Sequence, residues 1–196
     1  MYPSAAFAED ILSRALAVIG SGDPALPAVL DELAAPIYVT DAEGLITYFN
    51  PACVDFAGRT PELGEDRWCV TWKLYTDDGR FLPHDQCPMA MAIRTKSPVR
   101  GASAVAERPD GTRVTFVPYP TPLFAEDGSL RGAVNILIDV TDARQVELLL
   151  AQAEKCRRLA RAICDPQTED TLGTLAVQYE EKARALAIKA GDIALL

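Results

Sequence analysis

Residues 107–142 read ERPDGTRVTFVPYPTPLFAEDGSLRGAVNILIDVTD. Two apolar runs rich in β-branched residues, 112–124 and 130–140, are separated by Glu126-Asp127-Gly128, and Arg108-Pro109-Asp110-Gly111 precedes the first. Pro-Asp-Gly and Asp-Gly between such runs are hairpin turns, because glycine takes the positive φ that a tight reversal requires. A third strand over residues 99–107 leads in. Pro118, Pro120 and Pro122 do not suit the interior of a central strand, so the run that contains them is expected to be irregular or bulged near its end.

Moving upstream, 85–95 has helical spacing with Met89, Ala92 and Ile93 on one side, and 60–82 is irregular. Before that, IYVTDAEGLITYFN at 37–50 reads as strand, turn and strand. Asn50-Pro51 then opens a short helix, with Asn50 as N-cap and Pro51 at the first helical position. Residues 5–19 carry Phe7, Ile11, Ala15, Val18 and Ile19 at helical spacing, and Gly20 to Pro24 supply a break. Downstream, Val146, Leu149, Leu150, Ala153, Cys156, Leu159, Ala160 and Ile163 form an apolar stripe. Asp165-Pro166 ends that helix and starts another, which predicts an antiparallel helical hairpin.

The ordered set of IYVTDAEGLITYFN, the helix at 85–95, and three strands closing on Asp139-Val140-Thr141 resembles the PAS domain family. The resemblance implies an α+β fold: a five-stranded antiparallel sheet with helices on one face, with an N-terminal helix and a C-terminal helical hairpin added. The expected division is 1–30 for the N-terminal extension, 31–145 for the PAS domain and 146–196 for the hairpin. It implies a cavity between sheet and helices, for which Met89, Ile93, Phe116, Asn135 and Leu137 are the lining candidates. Asn135 stands out as an amide in the run AVNILI, because a buried amide needs a partner. The resemblance also implies that signals leave through the junction at Asp139 and Thr141.

The chemistry of other function classes is missing. The single histidine, His84, lies ahead of the helix on which a histidine kinase carries its phospho-acceptor, and no phosphate-binding glycine loop is present. No catalytic residue is assigned and no enzyme is expected. His84 reads as a loop or capping residue and is badly placed for haem. Cys69 lacks the flanking residues of flavin-binding relatives, so neither haem nor flavin is expected. Trp68 and Trp72 read as core or interface aromatics.

The five cysteines are scattered without a Cys-x-x-Cys pair, which speaks against a zinc site and for a reduced, cytoplasmic setting. A net charge of −9 disfavours nucleic acid and anionic membranes as partners, and the basic group Lys155, Arg157, Arg158, Arg161 reads as a solvated helix face. No apolar run approaches the roughly 20 residues that span a bilayer. What remains is a stand-alone sensory or adaptor module, with a small molecule, a kinase or a transcriptional regulator as partner. A homodimer is expected, formed through Val146, Leu149, Leu150 and Ala153.

Overall fold

The computed structural model describes residues 5–21, 26–33, 35–162 and 165–189. The break at 22–24 and the helix junction at 163–164 lie outside the described residues. The chain divides into two compact units, Pro3–Asp139 and Val140–Leu196.

The first unit begins with α1 (Ala5–Ser21) and α2 (Leu26–Asp31). Strands β1 (Ile37–Asp41) and β2 (Ile46–Phe49) follow as an antiparallel hairpin, and α3 (Pro51–Ala57) starts at the expected Asn-Pro step. The irregular stretch contains one strand that the sequence reading missed, β3 (Lys73–Tyr75). The helix expected at 85–95 is divided: His84–Gln86 forms a single 3-10 turn, and α4 (Pro88–Thr95) begins at the proline. Strand β4 is only Ala104–Glu107, since Gly101 takes a positive φ ahead of it.

The proline-rich run is broken as its composition demands. It forms β5 (Arg113–Pro118) and β6 (Thr121–Phe124), separated at Tyr119-Pro120. Both halves pair with β7 (Leu130–Asp139), β5 through Leu137 to Asp139 and β6 through Leu130 to Val134. The other edge of β7 carries β1, so the sheet runs β2-β1-β7-β5-β4-β3, with β6 beside β7. The five strands of the expected sheet thus become seven. One expected strand is divided in two, and the short β3 is added at an edge.

Residues of α3 and α4 (Cys53, Phe56, Ala57, Met89, Ala90 and Ile93) share one buried cluster with Tyr38, Phe116, Ala133 and Leu137 of the sheet. Phe56 meets Phe116 edge to face, with centroids 5.3 Å apart. The residues of β7 that alternate away from this cluster, Val134, Ile136 and Ile138, are buried too. Helix α1 packs on β7 and buries Ala8, Ile11, Leu12 and Ala15. Helical cover is therefore not confined to one face of the sheet, which is why β7 reads as a nearly continuous apolar run.

Asn50 departs from its expected role. It occupies the N-cap position of α3, but its side chain makes no cap hydrogen bond. Instead Oδ1 accepts from Ile37 N at 2.9 Å, while Nδ2 donates to the carbonyls of Leu30 (3.2 Å), Leu33 (3.1 Å) and Ala35 (2.9 Å). Fully buried, it ties the segment after α2 to the first strand.

In the second unit, α5 (Thr141–Ala162) and α6 (Pro166–Lys189) form the hairpin. Val146 and Leu149 early in α5 pack with Ala183, Leu186 and Ala187 late in α6. Ala153 and Cys156 pack with Leu172, Leu175, Ala176 and Tyr179, so the helices are antiparallel. Asp165 caps α6, accepting from Thr168 N at 3.0 Å, with Pro166 next to it. No helix of the described residues is long and apolar enough to cross a membrane.

Asn50→Ala strands one buried amide and several carbonyls, so it should cost about 2–4 kcal/mol. Urea unfolding monitored by circular dichroism measures this. Asn50→Asp should do no better, because it keeps the acceptor and loses the donors.

Candidate functional site

The interior of the first unit is the candidate site, and its polar groups come from two strands that lie side by side. Tyr38 of β1 stands directly opposite Asn135 of β7. Strand alternation puts Asn135 on the same face as Ala133 and Leu137, which look into the buried cluster. Asn135 Nδ2 donates to Tyr38 Oη at 3.0 Å, and Tyr38 Oη donates to the carbonyl of Trp68 at 2.9 Å. Asn135 Oδ1 accepts from the amide of Tyr119 at 2.9 Å. The isolated amide thus has protein partners on both sides. Tyr38 is fully buried, and burial raises its phenol well above its ordinary pKa.

Trp68 takes a left-handed backbone, with φ at 68°, which is uncommon for a non-glycine residue. Its indole lies against Gly44, where a Cβ would come within 2.3 Å of the ring, and its amide donates to the Gly44 carbonyl at 2.8 Å. That grip turns the Trp68 carbonyl toward Tyr38. Cys87 Sγ approaches the same carbonyl at 3.8 Å, and Thr71 Oγ1 donates to Cys69 Sγ at 3.1 Å.

One polar atom on this face is left over. Thr40 lies two residues along β1 from Tyr38 and opposite Ala133. It is 2% exposed, and its hydroxyl has no hydrogen-bond partner among the described residues. The buried polar side chains of the described residues (Thr40, Asn50, Thr71 and Asn135) are all neutral.

Of the lining candidates, Met89, Ile93, Phe116 and Leu137 fall within one cluster, and Asn135 shares the face of Leu137. Tyr38 and Thr40 escaped the sequence reading, which took Trp68 as a core or interface aromatic and not as a site residue. Nothing local announces that residue 38 stands opposite residue 135. Asp139 is the last residue of β7, and Thr141 is the first of α5. Val146 and Ala153 are buried within the hairpin, Leu149 packs beside Val146, and Leu150 remains 37% exposed.

His84 opens the 3-10 turn, half-buried, and its Nε2 has no partner among the described residues; burial lowers its pKa. Trp68 packs against the core, whereas Trp72 is 44% exposed with the Lys73 ammonium 4.0 Å above its ring. No group of three metal-ligating side chains occurs among the described residues. In the basic group on α5, Lys155, Arg158 and Arg161 are exposed, and Arg157 pairs with Glu180 of α6.

A match to the PAS fold covers residues 30–145, more than half of the chain, and the chain belongs to the PAS fold family. No curated protein matches it. Among solved structures it is similar to the PAS domain of a protein from Colwellia psychrerythraea, at 17% identity and TM-score 0.40, covering 58% of this chain and 92% of that one. It is also similar to a LOV protein of Rhodobacter sphaeroides, at 13% identity and TM-score 0.43, over 88% and 96%. The LOV domain of a blue-light activated histidine kinase from Erythrobacter litoralis is similar at 22% identity and TM-score 0.44, over 56% and 99%.

Burial pushes the Cys87 thiol up to about 12 and also raises Cys53 and Cys69. These are groups raised above their unfolded values, so their share of stability is complete below the unfolded thiol pKa of about 8.5 and declines as pH climbs above it. The melting temperature should therefore hold up to about pH 8.5 and fall between there and about pH 12. Cys87→Ala should flatten that fall, measured by calorimetry across the range.

Proposed function

We propose that the protein is a sensory signalling module of the PAS type, in which occupancy of the interior modulates association through the flanking helices. The observation that carries this reading is the Thr40 hydroxyl. It is buried on the face of Tyr38 and Asn135 and has no partner among the described residues. Leaving a buried hydroxyl unpaired costs about 1–3 kcal/mol, and a ligand that hydrogen-bonds it recovers that cost. Met89, Ile93, Phe116 and Leu137 supply the apolar surroundings of such a ligand. In this reading the module works by binding, without catalysis.

The second reading is an adaptor with a filled core, docking on a kinase or a transcriptional regulator. The mutual packing of Phe56, Phe116, Met89 and Leu137 in one buried cluster favours it. In both readings the C-terminal hairpin is the associating part. Its exposed Leu148, Leu150, Leu159, Val177 and Ile188 support that role, with a second copy of the chain as the simplest partner.

Natively purified protein should carry a small molecule detectable by native mass spectrometry, and Thr40→Val, which keeps the shape and removes the hydroxyl, should lose it. Wild type without a bound molecule, together with a Thr40→Val variant that melts higher, would select the adaptor. Leu150→Glu should shift the protein from dimer to folded monomer in light scattering. A dimer indistinguishable from wild type removes Leu150 from the interface.

A further inference from the structure

Arg100, in the loop ahead of β4, holds two separate parts of the first unit. Toward α1, its Nε donates to Glu9 Oε1 at 2.8 Å, joining residues 91 apart in sequence. Toward the sheet, Nη1 donates to the Pro120 carbonyl at 3.1 Å and Nη2 to Thr121 Oγ1 at 3.0 Å. The guanidinium also lies 5.4 Å from the centroid of the Tyr119 ring. Tyr119-Pro120 is the break between β5 and β6, and Thr121 opens β6, so Arg100 grips the break from outside.

Asn135 grips the same break from inside. The Tyr119 amide donates to Asn135 Oδ1 at 2.9 Å while also meeting the Ile136 carbonyl at 2.9 Å. Pro118 and Pro120 have no N–H, so the Tyr119 amide is the only backbone donor across those three residues. Asn135 is itself oriented by Tyr38, and Tyr38 by the Trp68 carbonyl. A continuous series of contacts therefore runs from the Trp68 carbonyl through Tyr38, Asn135, Tyr119 and Arg100 to Glu9 on α1.

We propose that Asn135 and Arg100 are positioning residues at the two ends of one coupling element, through which a change in the interior alters how firmly α1 is held on β7. The sensory use of the element rests on the reading above. A ligand group that donates to Asn135 Oδ1 competes with the Tyr119 amide, leaves that amide to the Ile136 carbonyl alone, and so loosens the break that carries the acceptors of Arg100. Output then reaches the N-terminal helix by a route separate from the Asp139–Thr141 junction. The test of this coupling is a double-mutant cycle.

Hydrogen exchange of the full chain, read by mass spectrometry over α1, is compared in wild type, Asn135→Ala, Arg100→Gln and the double variant. Each single change should speed α1 exchange by about tenfold or more, with the double variant no faster than the faster single. Tyr38→Phe, a milder variant, should act in the same direction and lose its effect in the Arg100→Gln background. Arg113→Gln, which breaks an exposed ion pair with Glu107 outside the series, should leave α1 exchange unchanged. Two outcomes overturn the coupling: α1 exchange in Asn135→Ala and Tyr38→Phe equal to wild type, or single effects that simply add. No ligand enters the measurement, so its failure leaves the sensory reading standing, and an empty interior leaves the coupling standing.

Discussion

The first unit is organised around the pairing of β7 along both of its edges while both of its faces are buried. β1 takes one edge from Gly132 to Ile136, and β6 and β5 divide the other. Gly132 shows how little room this leaves. A Cβ there would stand 1.9 Å from the Thr40 carbonyl, so the approach of β1 to β7 requires a residue without a side chain. The same close pairing sets Tyr38 opposite Asn135. Once that register is fixed, alternation decides which residues look toward α3 and α4 and which look away from them. A shift of one residue would turn Asn135 and Tyr38 out of the interior.

Much of this was legible because it is local. Turn chemistry located the hairpins, and proline chemistry marked the run at 112–124 as irregular; the structure divides it at Tyr119-Pro120, where the missing amides leave only half a ladder to form. Helical spacing identified α1, α5 and α6. Strand β3 was not legible, since Lys73–Tyr75 is short and exists by pairing with β4, more than thirty residues on. Asn50 shows a local rule giving way. An Asn-Pro step does start α3, but buried carbonyls after α2 outcompete the helix amides for the side chain. Asp85 and Gln86 likewise belong to a 3-10 turn and not to the helix that periodicity extended over them, because Pro88 restarts the helix.

The site was legible in half. An amide within AVNILI announces that something must satisfy it, but the sequence does not say what. The answer, Tyr38 and the Tyr119 amide, follows only from strand register and from the break. The α5 stripe was similar: its period marks an apolar face without naming what covers it. Much of that face is covered by α6, through a seam in which alanines at 153, 176, 183 and 187 let two helices approach closely. The leucines and valine outside the seam stay exposed.

Asn135 and Tyr38 are separated by 97 residues, and this separation has a consequence for how the protein comes into being. During synthesis the β1–β2 hairpin emerges long before its main partner. Tyr38 can meet Phe49 of β2 and the Trp68 carbonyl early, but the other edge of β1 has nothing to pair with until β7 has been made. Loop-closure entropy must be met before that distant contact gives anything back, so the domain is a slow folder for its size. For that interval β1 is an open strand edge rich in apolar residues, the state in which a nascent chain most needs a chaperone's cover.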